Sequence, residues 1–150
     1  MPAAADRRAG YLLIELAVAL AVTALVLGLL FPNLPNRTTP MRLIGLVTAS
    51  AALLRDARSA AIERDAPVAA TFDAVERILR VGGDRVEMPS DVDVTLTAGG
   101  NCPARDGRVE ILFRPDGTNC GGVLRFASGG RVIRTRVNWV DGRIDVVDGG

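Results

Sequence analysis

From Tyr11 to Phe31 the chain runs through 21 residues with a single charge, Glu15. As a helix this run is roughly 32 Å long, about the thickness of a bilayer's hydrocarbon core, and it predicts a transmembrane helix over 11–31. A carboxylate inside such a segment costs about 3 kcal/mol or more unless something pairs with it. Glu15 is therefore the first candidate functional residue. A secretory signal peptide has a shorter apolar region followed by small residues at the cleavage site. Here the run ends in Phe31-Pro32-Asn33-Leu34-Pro35, which does not fit that pattern.

Residues 32–40 hold three prolines, and proline withdraws a donor from the helix ladder, so a kink is predicted near Pro32. Thr39 followed by Pro40 is a helix start, with a capping hydroxyl and a proline in the first turn. The second half of the helix is predicted over 41–64. Ile44, Val47, Ala51, Leu54, Ala57 and Ala61 recur every three or four positions and mark its packing face. Asp65-Ala66-Pro67 ends it.

Beyond residue 67 the period shortens to two. Val68, Ala70 and Phe72 alternate with small or polar residues, and Arg77 to Val81 is a second run closed by Gly82-Gly83. Val92, Val94 and Leu96 alternate with Asp93, Thr95 and Thr97; Val109, Ile111 and Phe113 do so with Glu110, Leu112 and Arg114. Pro115-Asp116-Gly117 and Ser128-Gly129-Gly130 are turn signals. Leu124 and Phe126 share a face, as do Ile133, Val137 and Trp139, and a last strand is predicted near Ile144 to Val147. The pattern predicts an α+β chain. A long N-terminal α-helix, transmembrane in its first half, carries a small antiparallel β-sheet or sandwich head over 67–150.

Composition adds three constraints. All 18 basic residues are arginine, there is no histidine, and net charge is +1. From residue 67 onward 11 arginines face 12 acids, so any basic surface is local. Cys102 and Cys120 are the only cysteines. In an oxidising compartment they can close a loop worth about 3 kcal/mol; in a reducing one they are free thiols. Arginines flank the apolar run two against two, with Arg7 and Arg8 before it and Arg37 and Arg42 after, so charge alone sets no orientation.

Catalysis finds no support in the residues. A serine–histidine triad and a histidine-bearing zinc site are excluded, and two cysteines cannot make a four-cysteine site. The Cys102–Cys120 spacing is not a CxxC redox motif. The glycine pairs lack the Gly-Lys-Ser/Thr of a phosphate loop and read as turns. Asp91 and Asp93 lack the oxygen-ligand density of a calcium loop. No cofactor, metal or enzyme activity is predicted. One basic cluster stands out: no acid lies between Gly117 and Val140, while Arg125, Arg131, Arg134 and Arg136 do. Two readings are open, a stripe for DNA phosphates and a solvated outer strand face. The slightly acidic balance of 67–150 favours the second.

The string Gly10-Tyr11-Leu12-Leu13-Ile14-Glu15 resembles a type IV prepilin N-terminus. In that family a short basic leader ends in glycine, followed by an aromatic residue and Thr-Leu-Ile-Glu. Tyr11 and Leu12 depart from the pattern; Leu13-Ile14-Glu15 keeps it, with Glu15 fifth from Tyr11. Three further pieces resemble GspH/FimT-type minor pseudopilins. They are Ala57 to Arg64 with Pro67-Val68, Phe113 to Thr118 with Gly121-Gly122, and Val140-Asp141-Gly142-Arg143-Ile144.

The resemblance implies a leader over 1–10, cut after Gly10 by a prepilin peptidase that also N-methylates Tyr11. It implies that Glu15 pairs with the N-terminal amine of a neighbouring subunit. The expected location is the bacterial inner membrane, single-pass, with the C-terminal head in the periplasm. The expected role is a minor pseudopilin of the type II secretion pseudopilus, supporting export of folded proteins across the outer membrane. Its partners would be the major pseudopilin, other tip pseudopilins and the inner-membrane assembly platform. The alternative is a minor pilin of a type IV pilus that binds DNA in uptake. DNA-binding relatives carry Gly-Arg-x-Arg near the C-terminus, whereas Gly142-Arg143-Ile144-Asp145 ends in an acid.

Overall fold

A computed structural model describes residues 6–30 and 39–149, with side chains of the first helix described over 13–26. The chain divides into two units, Met1–Asn36 and Arg37–Gly150.

The first unit is helix α1, Asp6–Leu30. It corrects the long transmembrane helix expected from the apolar run. Among the described residues no helix is long and apolar enough to cross a membrane. Helix α1 takes in Asp6, Arg7 and Arg8 as well as Glu15, so its uncharged part is only 16–30. That part is roughly 22 Å long, against the roughly 30 Å a bilayer core requires. The single-pass inner-membrane location, with a periplasmic head, falls with it. The kink expected near Pro32 and the stretch 32–38 lie outside the described residues.

The second unit begins with helix α2, Pro40–Glu63. Thr39 is extended (φ −67°, ψ 154°) and Pro40 opens the first turn, where the missing N–H costs nothing. The Thr39 hydroxyl makes no capping bond; its carbonyl instead accepts the Leu43 N–H at 3.0 Å. The buried face is Leu43, Val47, Ser50, Ala51, Leu53, Leu54, Ala57 and Ala61. Ile44, expected on that face, is 42% exposed and Leu43 takes its place. Buried Ser50 returns its hydroxyl to the Leu46 carbonyl at 2.8 Å, so no donor is lost.

Nine strands follow among the described residues: β1 Val68–Asp73, β2 Ile78–Val81, β3 Asp84–Glu87, β4 Asp93–Ala98, β5 Ala104–Arg105, β6 Arg108–Phe113, β7 Gly122–Ser128, β8 Arg131–Val137 and β9 Ile144–Gly149. They form two antiparallel sheets, ordered β3-β2-β1-β6-β5 and β4-β7-β8-β9. Helix α2 packs on strands of both. Leu54 and Ala57 of α2, Phe72 of β1, Phe113 of β6, and Leu124 and Phe126 of β7 share one buried cluster. The two-residue period explains this: alternate side chains leave one face of each sheet apolar, and that face must be covered. Cys102 and Cys120 are bonded, with Cα atoms 5.3 Å apart, and tie the β4–β5 loop to the start of β7.

Trp139 was expected to share the inner face with Ile133 and Val137. It lies beyond the end of β8 in a turn and is 67% exposed. The inner face of β8 is Ile133, Thr135 and Val137, all buried. Thr135 is fully buried, and its hydroxyl has no hydrogen-bond partner among the described residues. A buried hydroxyl without a partner costs about 1–3 kcal/mol. Thr135→Val keeps the β-branched shape and removes the orphan donor. It is expected to raise stability by about 1 kcal/mol, read as a higher urea midpoint with an unchanged slope.

Candidate functional site

Over residues 13–26 helix α1 presents apolar side chains to solvent on every side. Leu13 and Ile14 are 69% and 68% exposed, Leu20 and Leu25 63% and 66%. A helix that is hydrophobic all round is a buried element, so something must cover it. Glu15 is exposed on this helix, the only acid on it after Asp6. Gly10 lies within the helical run; Tyr11's side chain lies outside the described residues.

The outer face of the first sheet holds a charge cluster that no spacing in the sequence announced. The Asp73 carboxylate is nearly buried at 6% side-chain exposure. One oxygen accepts the N–H groups of Val75 and Glu76 at 2.9 and 2.8 Å, an Asx turn that closes the β1–β2 connection. The other accepts Arg108 Nε of β6 at 2.6 Å. Glu76 in turn meets Arg108 at 3.7 Å and Arg80 at 2.6 Å. A shallow cavity of about 410 Å³ opens over this network, lined by Thr71, Asp73, Glu76, Arg80, Arg108 and Glu110. Asp73, Glu76, Arg80 and Arg108 are committed to one another. Their ion pairs and hydrogen bonds tie β1, the β1–β2 connection, β2 and β6 together.

The Glu76 N–H, the Arg108 guanidinium and the Val75 N–H together hold the Asp73 carboxyl below the usual carboxylate range, against some desolvation. Its folded-state value is therefore lower than its unfolded one. The stability it contributes is complete above the unfolded value of about 3.9 and is lost as pH falls through the folded value. Asp73→Asn is expected to flatten the fall of stability below about pH 4, measured as Tm against pH beside the parent chain.

The structure separates the four arginines of the basic cluster. Arg131 lies on the same side of β8 as Ile133 and pairs with Asp148 of β9. Arg125, Arg134 and Arg136 lie on the outer face of the second sheet, where Arg125 is directly opposite Arg134. Arg125 is held by Asp93 at 3.0 Å. Arg134 and Arg136 are exposed, and among the described residues no carboxylate lies within salt-bridge reach of either. The Trp139 turn adjoins Arg136, a neighbour that the alternation hid because it put Trp139 on the face of Ile133 and Val137. No group of metal-ligating side chains occurs among the described residues.

No family model matches this chain, and neither does any curated protein or solved structure.

Proposed function

We propose that this chain is a minor pseudopilin, a structural subunit of a type II secretion pseudopilus that supports export of folded proteins. One observation carries the reading. A helix that is apolar on every side over 13–26 and bears one acid there, Glu15, belongs to the same chain as a β-rich unit with its own core. In a fibre, like helices from neighbouring subunits cover such a surface, and the reading asks for no membrane crossing by α1. The resemblance of Gly10 to Glu15 to a prepilin N-terminus supports it. Cleavage after Gly10 and methylation at Tyr11 would leave an amine that Glu15 of an adjacent subunit can pair with, and among the described residues its carboxylate has no ion-pair partner. A minor pilin of a type IV pilus would share this helix; release of exoproteins separates the two roles.

The experiment compares Glu15→Ala with the parent chain for recovery in sheared or cross-linked fibres. Incorporation is expected to fall by about a hundredfold or more, the scale of the roughly 3 kcal/mol that removing one partner of a desolvated ion pair costs. Cleavage after Gly10 should be unchanged, read as the mass of an N-methylated Tyr11 peptide. Full incorporation of the variant, or an uncut N-terminus in both, overturns the proposal.

A further inference from the structure

Trp139 is the only tryptophan in the chain and is 67% exposed, with Val140 beside it at 55%. The turn that carries them is fixed rather than loose. The Asn138 side chain accepts the Val140 N–H at 2.9 Å, and the Asn138 carbonyl accepts the Gly142 N–H at 3.0 Å. Buried Asn119 donates its side-chain amide to the Asn138 carbonyl at 2.8 Å and its N–H to the Trp139 carbonyl at 3.2 Å. An aromatic group displayed on a rigid turn loses little freedom when it binds. Beside it lies an open slot of about 460 Å³, lined by Thr97, Gly99, Gly121, Arg136, Asn138 and Trp139.

Arg136 forms one wall of this slot, and Arg134 follows on the same face of β8. Arg134 directly opposes Arg125, and like charges in register repel unless an anion comes between them. Asp93 answers Arg125, but among the described residues no carboxylate pairs with Arg134, whose guanidinium lies against Gly149, or with Arg136; Asp145, opposite Arg136 in register, stays beyond ion-pair distance. Tryptophan and arginine are the residues that most often dominate binding surfaces.

We propose that the Trp139 slot and the Arg134–Arg136 row form a docking surface for an acidic polypeptide segment that carries an apolar side chain. The apolar group enters the slot against the indole, and one or two carboxylates meet the two guanidinium groups. Charge complementarity selects a polypeptide over a nucleic acid. Asp93 and Asp145 rim the same face and would repel a continuous run of phosphates, and one indole gives no stacking track. The surface belongs to the second unit, so the proposal is independent of what covers α1.

The test uses the full chain, kept dispersed in mild detergent, and fluorescence anisotropy with a short labelled peptide of aspartate and glutamate around a central phenylalanine. Saturable binding is expected, weakened by salt and by replacing the phenylalanine with serine. Trp139→Ala and Arg136→Gln should each weaken it about tenfold or more, while Trp139→Tyr largely retains it. Both positions are exposed, and thermal unfolding of each variant checks its fold. No binding of the acidic peptide, or binding indifferent to both Trp139→Ala and Arg136→Gln, overturns the proposal. So does tighter binding of a single-stranded DNA oligonucleotide that is lost in the same two variants.

Discussion

Gly142→Ala is expected to destabilise the chain by about 3 kcal/mol or more, seen as a Tm lower by more than about 10 °C. Two effects add. Gly142 has φ 65°, a conformation that costs an L-residue roughly 1–2 kcal/mol. A Cβ at this position would also overlap the Gly117 carbonyl oxygen and press on Arg58 Nε and Cδ at 2.8 and 2.9 Å. The carbonyl is backbone and cannot rotate away, and the arginine is engaged. Arg58 Nε donates to the Asp141 carbonyl at 3.1 Å, which links α2 to the β8–β9 connection. Gly129→Ala is the control. Its φ is 57°, and nothing lies within 4 Å of the added carbon. It should lose only the conformational term, about 1 kcal/mol. The difference between the two variants measures how tightly Arg58, Gly117 and Gly142 close on one another. Equal losses would show that the Arg58 contact yields without cost.

That junction was invisible in the sequence, for a physical reason. Gly117 read as part of a turn signal, and neither Arg58 nor Gly142 fell on a predicted packing face. Nothing local indicates that residues 58, 117 and 142 converge. The alternation of Val68, Ala70 and Phe72 was legible because burial on one face imposes a period of two, and it falls on β1. The same holds for Val94 and Leu96 on β4 and for Ile111 and Phe113 on β6. Strand β3 escaped because Asp84, Arg85 and Glu87 are exposed and only Val86 turns inward, so it carries no apolar signal. Strand β5 is two residues, too short for any period.

On the candidate site the balance differs. Glu15 was legible because one charge in an apolar run stands out, yet the run's length misled. Counting from Tyr11 to Phe31 included Glu15 as though it cost no length, and the uncharged helical part that remains is 16–30. The arginines were legible as a cluster but not as faces. Alternation along β8 put Arg134 and Arg136 together, and the same alternation turns Arg131 to the other side, where Asp148 answers it. Trp139 was misplaced because the period was carried two residues past the point where the strand ends.

Phe126→Ala is expected to cost about 4–5 kcal/mol, toward the top of the range for such truncations. Phe126 is fully buried in β7, the second strand of its sheet, between Val94 of β4 and Ile133 of β8 in register. Both neighbours are β-branched and stiff at χ1, so they cannot swing into the vacated space. Their backbones are pinned by sheet bonding on either side. A cavity that cannot collapse retains the whole packing loss in addition to the lost transfer energy. Phe126→Leu keeps most of the volume and should lose less than half as much. For a chain whose total stability is on the order of 5–15 kcal/mol, the alanine variant loses about a quarter or more. Denaturant titration reads the difference, and the same loss in both variants would mean that ring shape, not filled volume, sets the stability of this sheet. Because α2 packs on this sheet as well as on the first, the loss should appear as one cooperative transition of residues 39–149. Early release of β4, β7, β8 and β9 alone would show two cores where the buried side chains form one.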